Sequence, residues 1–208
     1  MALGSLVSIA ASTFNRVMVV ELSLLQIIPG LLLALHYFIQ ISRPNWGFLS
    51  DKGGNRTFWI IIGVIILCLG SVLACIGIKL IPENYLFGLI VSIFAYTLIG
   101  IGVGASGTSL LAFLATRTDN NKKAAAATIT WIMMIFGAAF TAIFVGKIID
   151  PYSIEKLLKI VTIISLFWII TSFITLYKLE NTHQQKVLDR FEPVSITFYQ
   201  GLKQVLLE

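Results

Sequence analysis

The 208-residue chain is 57% apolar and only 12% charged, with a mean hydropathy of +0.91. Soluble proteins carry roughly 25% charged residues, so lipid must form part of its solvent, and intrinsic disorder is excluded. The net charge of +5 is small and scattered; its one tight basic loop pair, Lys122-Lys123, lacks interleaved aromatics to stack bases, which argues against nucleic acid as a partner.

Six segments approach the ~20 apolar residues that a membrane-spanning helix needs: 2–20, 22–42, 58–78, 85–115, 124–149 and 157–177. The first lacks a basic leading region and carries Asn15 and Arg16 near its end, so it reads as a retained helix rather than a signal peptide. The second contains Pro29-Gly30. The third holds Cys68 and Cys75, which share a helix face but lie ~10.5 Å apart along the axis, too far for a disulfide. They read as small core-filling residues. The fourth is long enough to tilt or to project into water. No Cys/His spacing fits zinc, and no metal site is expected. Short loops make the whole an all-α membrane protein, a six-transmembrane-helix bundle over residues 1–178 with every backbone hydrogen bond kept inside a helix.

Residues 179–208 form a polar tail. Val194, Phe198, Leu202 and Val205 recur there at helical spacing, as in an amphipathic helix on the cytoplasmic membrane surface; a frayed end is the alternative. Orientation follows from Lys and Arg. The loops after segments two and four, with the tail, hold 10, against 5 on the other side. The first side is therefore cytoplasmic, and both termini lie there.

Gly100, Gly104, Thr108 and Ala112 recur at every fourth position of segment four, and Ala138, Ala142 and Gly146 do so in segment five. Such small-residue seams let helices approach closely in lipid. The functional alternative is that Gly102, Gly104 and Gly107 leave room for a ligand.

The connection after segment two reads Arg43-Pro-Asn-Trp-Gly47-Phe-Leu-Ser50-Asp51-Lys52-Gly-Gly54-Asn-Arg56. Read as a loop, it offers Gly47 for close approach, Asp51 past the helix end, Gly53-Gly54 for a tight reversal, and Arg56 just before segment three. The outcome is either a rigid charged corner or a generic polar turn. Gly47, Leu49, Ser50, Asp51, Lys52, Gly54 and Arg56 resemble the loop between helices two and three of the major facilitator superfamily, where they would belong to a cytoplasmic gate.

A narrower resemblance runs along most of the chain. Phe14-Asn15-Arg16-Val17-Met18-Val19-Val20-Glu21-Leu22, Arg43-Pro44, the stretch from Gly102 to Leu111, that from Thr128 to Ile135, Thr141-Ala142 and Asp150-Pro151-Tyr152-Ser153 are similar to the PucC family of bacteriochlorophyll-delivery proteins. That resemblance implies the amino-terminal half of a twelve-helix major facilitator fold in a bacterial inner membrane. It also implies a role in light-harvesting complex assembly, with transient bacteriochlorophyll, no tightly bound cofactor, and light-harvesting apoproteins or pigment-synthesis enzymes as partners. A gene fragment, a split gene, or a second copy replacing the missing carboxy-terminal half would account for the six helices, and residues are expected to be missing before the first.

Intramembrane polar residues complete the candidate set. Arg16 and Glu21 are five apart, which is poor helical spacing for a pair. Either Arg16 snorkels and Glu21 lies in a loop, or Asn15, Arg16 and Glu21, with Gly104, line a cavity. His36 and Gln40 share a face of segment two. His36 is either hydrogen-bonded to a neighbour or a ligand for the magnesium of a chlorin. The four tryptophans read as interface anchors or packing residues. No nucleophile–base pair or phosphate cradle suggests an enzyme. Two functions remain: an assembly factor that delivers or presents bacteriochlorophyll, and a secondary transporter of a small solute. The lack of an acid inside segments three to six counts mildly against proton coupling.

Overall fold

A computed structural model describes residues 1–52 and 56–181, with side chains over 1–50 and 56–176. Every element described is helical. Helix α1 covers Ala2–Glu21 and contains two π turns, Ile9–Thr13 and Val17–Glu21. Helix α2 is Ile27–Ile39, and a 3-10 turn, Gln40–Ser42, leads into α3, Arg43–Lys52. Helices α4 (Arg56–Leu80), α5 (Tyr85–Arg117), α6 (Lys123–Ile148) and α7 (Ile154–Asn181) follow.

Among the described residues, five helical stretches are long and apolar enough to cross a membrane: Ala2–Glu21, Arg56–Leu80, Tyr85–Arg117, Asn120–Ile148 and Ile154–Leu176. The expected second span differs. Residues 22–26 leave the helix, with Ser23 in the left-handed region at φ 51°, and α2 begins only at Ile27. Its 13 residues reach ~20 Å, short of a ~30 Å hydrocarbon core. The connection after it is also not a loop, because Arg43–Lys52 is helical. Pro44 sits in the first turn of α3, where its missing N–H removes no helical bond. Asp51 thus belongs to a helix rather than lying past its end. Gly54 and the amphipathic tail fall outside the described residues.

Helix α5 is the hub. Asn84 caps it, its Oδ1 accepting from the Phe87 amide at 3.1 Å. At 33 residues it is ~50 Å long and must tilt or project. It meets α4 backbone to backbone: a Cβ added at Gly102 would lie 2.5 Å from the Leu67 nitrogen, and one at Gly63 would lie 2.5 Å from the Ser106 nitrogen.

Helix α1 docks on α6 in the same way, Gly4 against the Met134 carbonyl, with a buried hydrogen bond of 2.7 Å between Ser5 Oγ and Thr141 Oγ1. The fully buried Tyr96 of α5 donates to the Ala10 carbonyl, inside the first π turn, at 3.0 Å. Leu6, Phe14, Met18, Leu67, Ile99 and Leu157 complete the centre. Helices α6 and α7 are peripheral. Only 17% of the apolar window of each is buried, against 56% for α4.

Candidate functional site

Where α1 and α6 end, a cavity of about 190 Å³ opens between them and the 149–152 connection. Helix α1 contributes Ser12, Thr13, Arg16, Val17 and Glu21 to its wall; Ala142, Gly146, Ile149 and Tyr152 supply the rest. In an α-helix, residues five apart diverge by about 140°, which is why Arg16 and Glu21 look like poor partners in sequence. The π turn changes that arithmetic. The Leu22 amide donates to the Val17 carbonyl five residues back at 3.1 Å, and the wider turn brings Arg16 and Glu21 to one cavity. π turns interrupting an α-helix recur at functional sites.

Arg16 pairs across the cavity rim with Asp150, Nη2 to Oδ1 at 3.3 Å, with the side chains 47% and 64% exposed. A pair so exposed contributes at most ~1 kcal/mol. The Tyr152 phenol is pushed above its ordinary pKa by burial first, then by the carboxylate of Glu21 and by Cys75. Gly146 faces open space, since a Cβ there would meet nothing within 4 Å.

The structure separates the other two members of the expected cavity. Asn15 is half-buried on α1 but does not line it. Gly104 is on α5 beside α3, where a Cβ would lie 3.4 Å from Trp46 Cδ1. Asp150, Tyr152, Ser12 and Thr13 had no role in the sequence reading. Asp150-Pro151-Tyr152 did stand within a family-like stretch, which was the one available signal.

At the opposite end, Gly47 lets α3 approach α5, with a would-be Cβ 3.3 Å from Thr108 Cγ2. Ser50 is buried, and its Oγ donates to the Gly47 carbonyl at 2.8 Å. Arg56 reaches the last turns of α5, donating to the Ala112 carbonyl at 2.6 Å and to Thr116 Oγ1 at 2.5 Å. A cation there satisfies orphan carbonyls and complements the helix dipole. The side chains of Asp51 and Lys52, and Gly54 entirely, lie outside the described residues.

His36 is 1% exposed and sits in a relay. Arg43 can only donate, so its bond to Gln40 fixes Oε1 of that amide as the acceptor. Gln40 Nε2 then donates to His36 Nε2 at 2.8 Å. The imidazole proton is left on Nδ1, which is buried without a hydrogen-bond partner among the described residues. The lone pair that a magnesium ion would need is therefore already engaged. Among the described residues, no group of three His, Cys, Asp or Glu could hold a metal.

The chain is 47% identical over its whole length to the bacteriochlorophyll synthase 44.5 kDa chain of Rhodobacter capsulatus, covering 48% of that protein. It is 27% identical over 194 residues to the protein PucC of Cereibacter sphaeroides, covering 86% of this chain and 42% of the relative. It is 24% identical over 190 residues to a protein PucC of Rhodobacter capsulatus, 85% of this chain and 41% of the relative. The chain thus spans about half the length of the curated relatives it matches. No solved structure matches it. The family described as PUCC protein matches residues 13–205, and this multi-pass membrane protein belongs to that family.

Proposed function

We propose that the chain is the amino-terminal half of a major facilitator-type bundle that delivers or presents bacteriochlorophyll to light-harvesting apoproteins in a bacterial inner membrane, with both termini cytoplasmic. In this reading α2 and α3 together complete a sixth span, and the partner bundle comes from a further stretch of polypeptide or from a second copy in the same orientation. The observation that carries the proposal is the 47% identity, along the whole chain, to a protein named for bacteriochlorophyll. The role is non-enzymatic; "synthase" is the relative's name.

The physical demands are modest. A tetrapyrrole with a long hydrocarbon tail partitions into lipid unaided, so the protein has to offer it an apolar surface and a docking face. The cavity of about 190 Å³ is smaller than the ~300–1,000 Å³ of drug-sized ligand pockets, and the macrocycle is larger than most drugs. In this reading the pigment meets the lipid-facing surface rather than this cavity. Helix α6 offers an exposed ladder there: Phe136, Phe140 and Phe144, with centroids 6.2 and 6.0 Å apart and rings within 18° of parallel.

The test is an absorbance spectrum of the detergent-purified protein from a pigment-making host, together with light-harvesting complex levels after gene disruption. Chlorin bands and reduced complexes are expected. No bands, unchanged complexes and measurable solute uptake would replace the proposal with a secondary transporter.

A further inference from the structure

We propose that the cavity at the Glu21 end holds the zwitterionic headgroup of a phosphatidylethanolamine molecule, Arg16 taking the phosphate and Glu21 the primary ammonium. The inference does not depend on pigment handling.

Three observations carry it. The first is chemical. One cavity is lined by Arg16 and Glu21 and by three hydroxyl-bearing residues, Ser12, Thr13 and Tyr152, beside the apolar Val17, Ala142 and Ile149. A purely anionic headgroup would satisfy Arg16 and be repelled by Glu21, and a cationic one would reverse the fault. A ligand carrying both charges satisfies both, and the apolar wall suits the start of its acyl chains.

The second is order in depth. Glu21 is the last residue of α1, at the end of the helix, and Arg16 stands about one turn deeper. In an ethanolamine lipid the phosphate also lies deeper than the ammonium, next to the glycerol. The sequence of charges along the membrane normal is therefore the same in site and ligand. A free primary ammonium can donate three hydrogen bonds to Glu21 and its neighbours, which a quaternary choline cannot.

The third is availability. The only ion-pair partner of Arg16 among the described residues is Asp150, by a single 3.3 Å contact between half-exposed side chains. Glu21 makes no ion pair among the described residues. Phosphate oxygens, which suit a guanidinium fork, would displace Asp150. Gly146 keeps the wall open, since a Cβ there meets nothing within 4 Å.

The test is native mass spectrometry of the full chain in detergent with equimolar dioleoyl-phosphatidylethanolamine and dioleoyl-phosphatidylglycerol. Retention of the ethanolamine lipid should exceed that of the glycerol lipid by roughly tenfold, the scale of one charge-assisted hydrogen bond. Arg16→Gln should lower the retention of both lipids, which share the phosphate, and Asp150→Asn should raise it for both by removing the competing carboxylate; Glu21→Gln should abolish the ethanolamine excess. Gly146→Leu should also abolish it by filling the cavity, with helix content by circular dichroism unchanged. Equal retention of the two lipids overturns the proposal, as does a Glu21→Gln protein with the parental preference. Millimolar O-phosphoethanolamine should compete only weakly, since it lacks the acyl chains that the apolar wall receives; full displacement at a concentration equimolar with the lipid overturns the lipid assignment in favour of a soluble zwitterion.

Discussion

Replacing Gly102 by alanine should destabilise the bundle far more than the same change at Gly146, although both are small residues in apolar helices. A methyl group on Gly102 would lie 2.5 Å from the Leu67 nitrogen, 2.7 Å from the Gly63 carbonyl oxygen and 2.8 Å from Leu67 Cα. All three are backbone atoms, so no side chain can swing away, and relief to ordinary van der Waals distance means separating α4 from α5 by about 1 Å. Overpacking of this kind costs typically ~1–3 kcal/mol, which for a chain of this size, at ~2–4 °C per kcal/mol, lowers the apparent Tm by ~2–12 °C. At Gly146 nothing lies within 4 Å, and the expected change is within ~0.5 kcal/mol. Thermal unfolding of both variants in one detergent, followed by circular dichroism and by size-exclusion recovery after heating, measures the difference. Indistinguishable transitions would refute the claim that backbone contact between α4 and α5 holds this fold.

Arg56→Gln should lower stability by ~1–2 kcal/mol, since it removes charge-assisted bonds to the Ala112 carbonyl and Thr116 at the end of α5; Arg56→Lys should recover part of the lost Tm. The Tyr152 phenol is raised by burial and by Glu21, so its contribution to stability is complete below the unfolded value near pH ~10 and is lost as pH climbs through the higher folded value. Alkaline denaturation should therefore be shallower in Tyr152→Phe, with no difference between the proteins at neutral pH. A cysteine placed at Asp51 in a Cys68→Ala, Cys75→Ala background should react with a membrane-impermeant maleimide only after cells are opened. Labelling from outside intact cells would invert the proposed orientation. His36→Ala should leave co-purified pigment per mole of protein unchanged, because the histidine lone pair is already taken by Gln40; a loss of chlorin bands would make His36 a ligand.

Long apolar runs were legible because lipid leaves the backbone few choices, and α4 to α7 each contain the greater part of an expected span. The connection after the second segment was not. Read as a loop, it turned out helical: Pro44 stands in the first turn of α3, and Gly47, read for close approach near a helix end, makes its contact with Thr108 from inside that helix. The same residue types carry opposite meanings depending on where the helix starts, and hydropathy does not mark that point. The small-residue seams show a related limit. Gly100 is tight, its would-be Cβ 2.8 Å from the His36 carbonyl oxygen, whereas Gly104 meets only the Trp46 and Arg43 side chains at 3.4 Å or more. Four-residue spacing places two glycines on one face, but it does not say which neighbour comes near each of them.

The site was hidden for a geometric reason. Sequence arithmetic assumes 3.6 residues per turn, and on that ruler Arg16 and Glu21 point apart. The stretch Val17–Glu21 is a π turn, and nothing in its composition announces one. The partners across the cavity, Asp150 and Tyr152, lie more than a hundred residues away in a connection that hydropathy marks only as a gap between spans. Polar residues on a spanning helix can still be recognised as costly, and Ser12, Thr13 and Arg16 all sit within α1. Lipid does not solvate them, so their face must meet either water and headgroups or another bundle. The cavity answers that requirement at one end of α1.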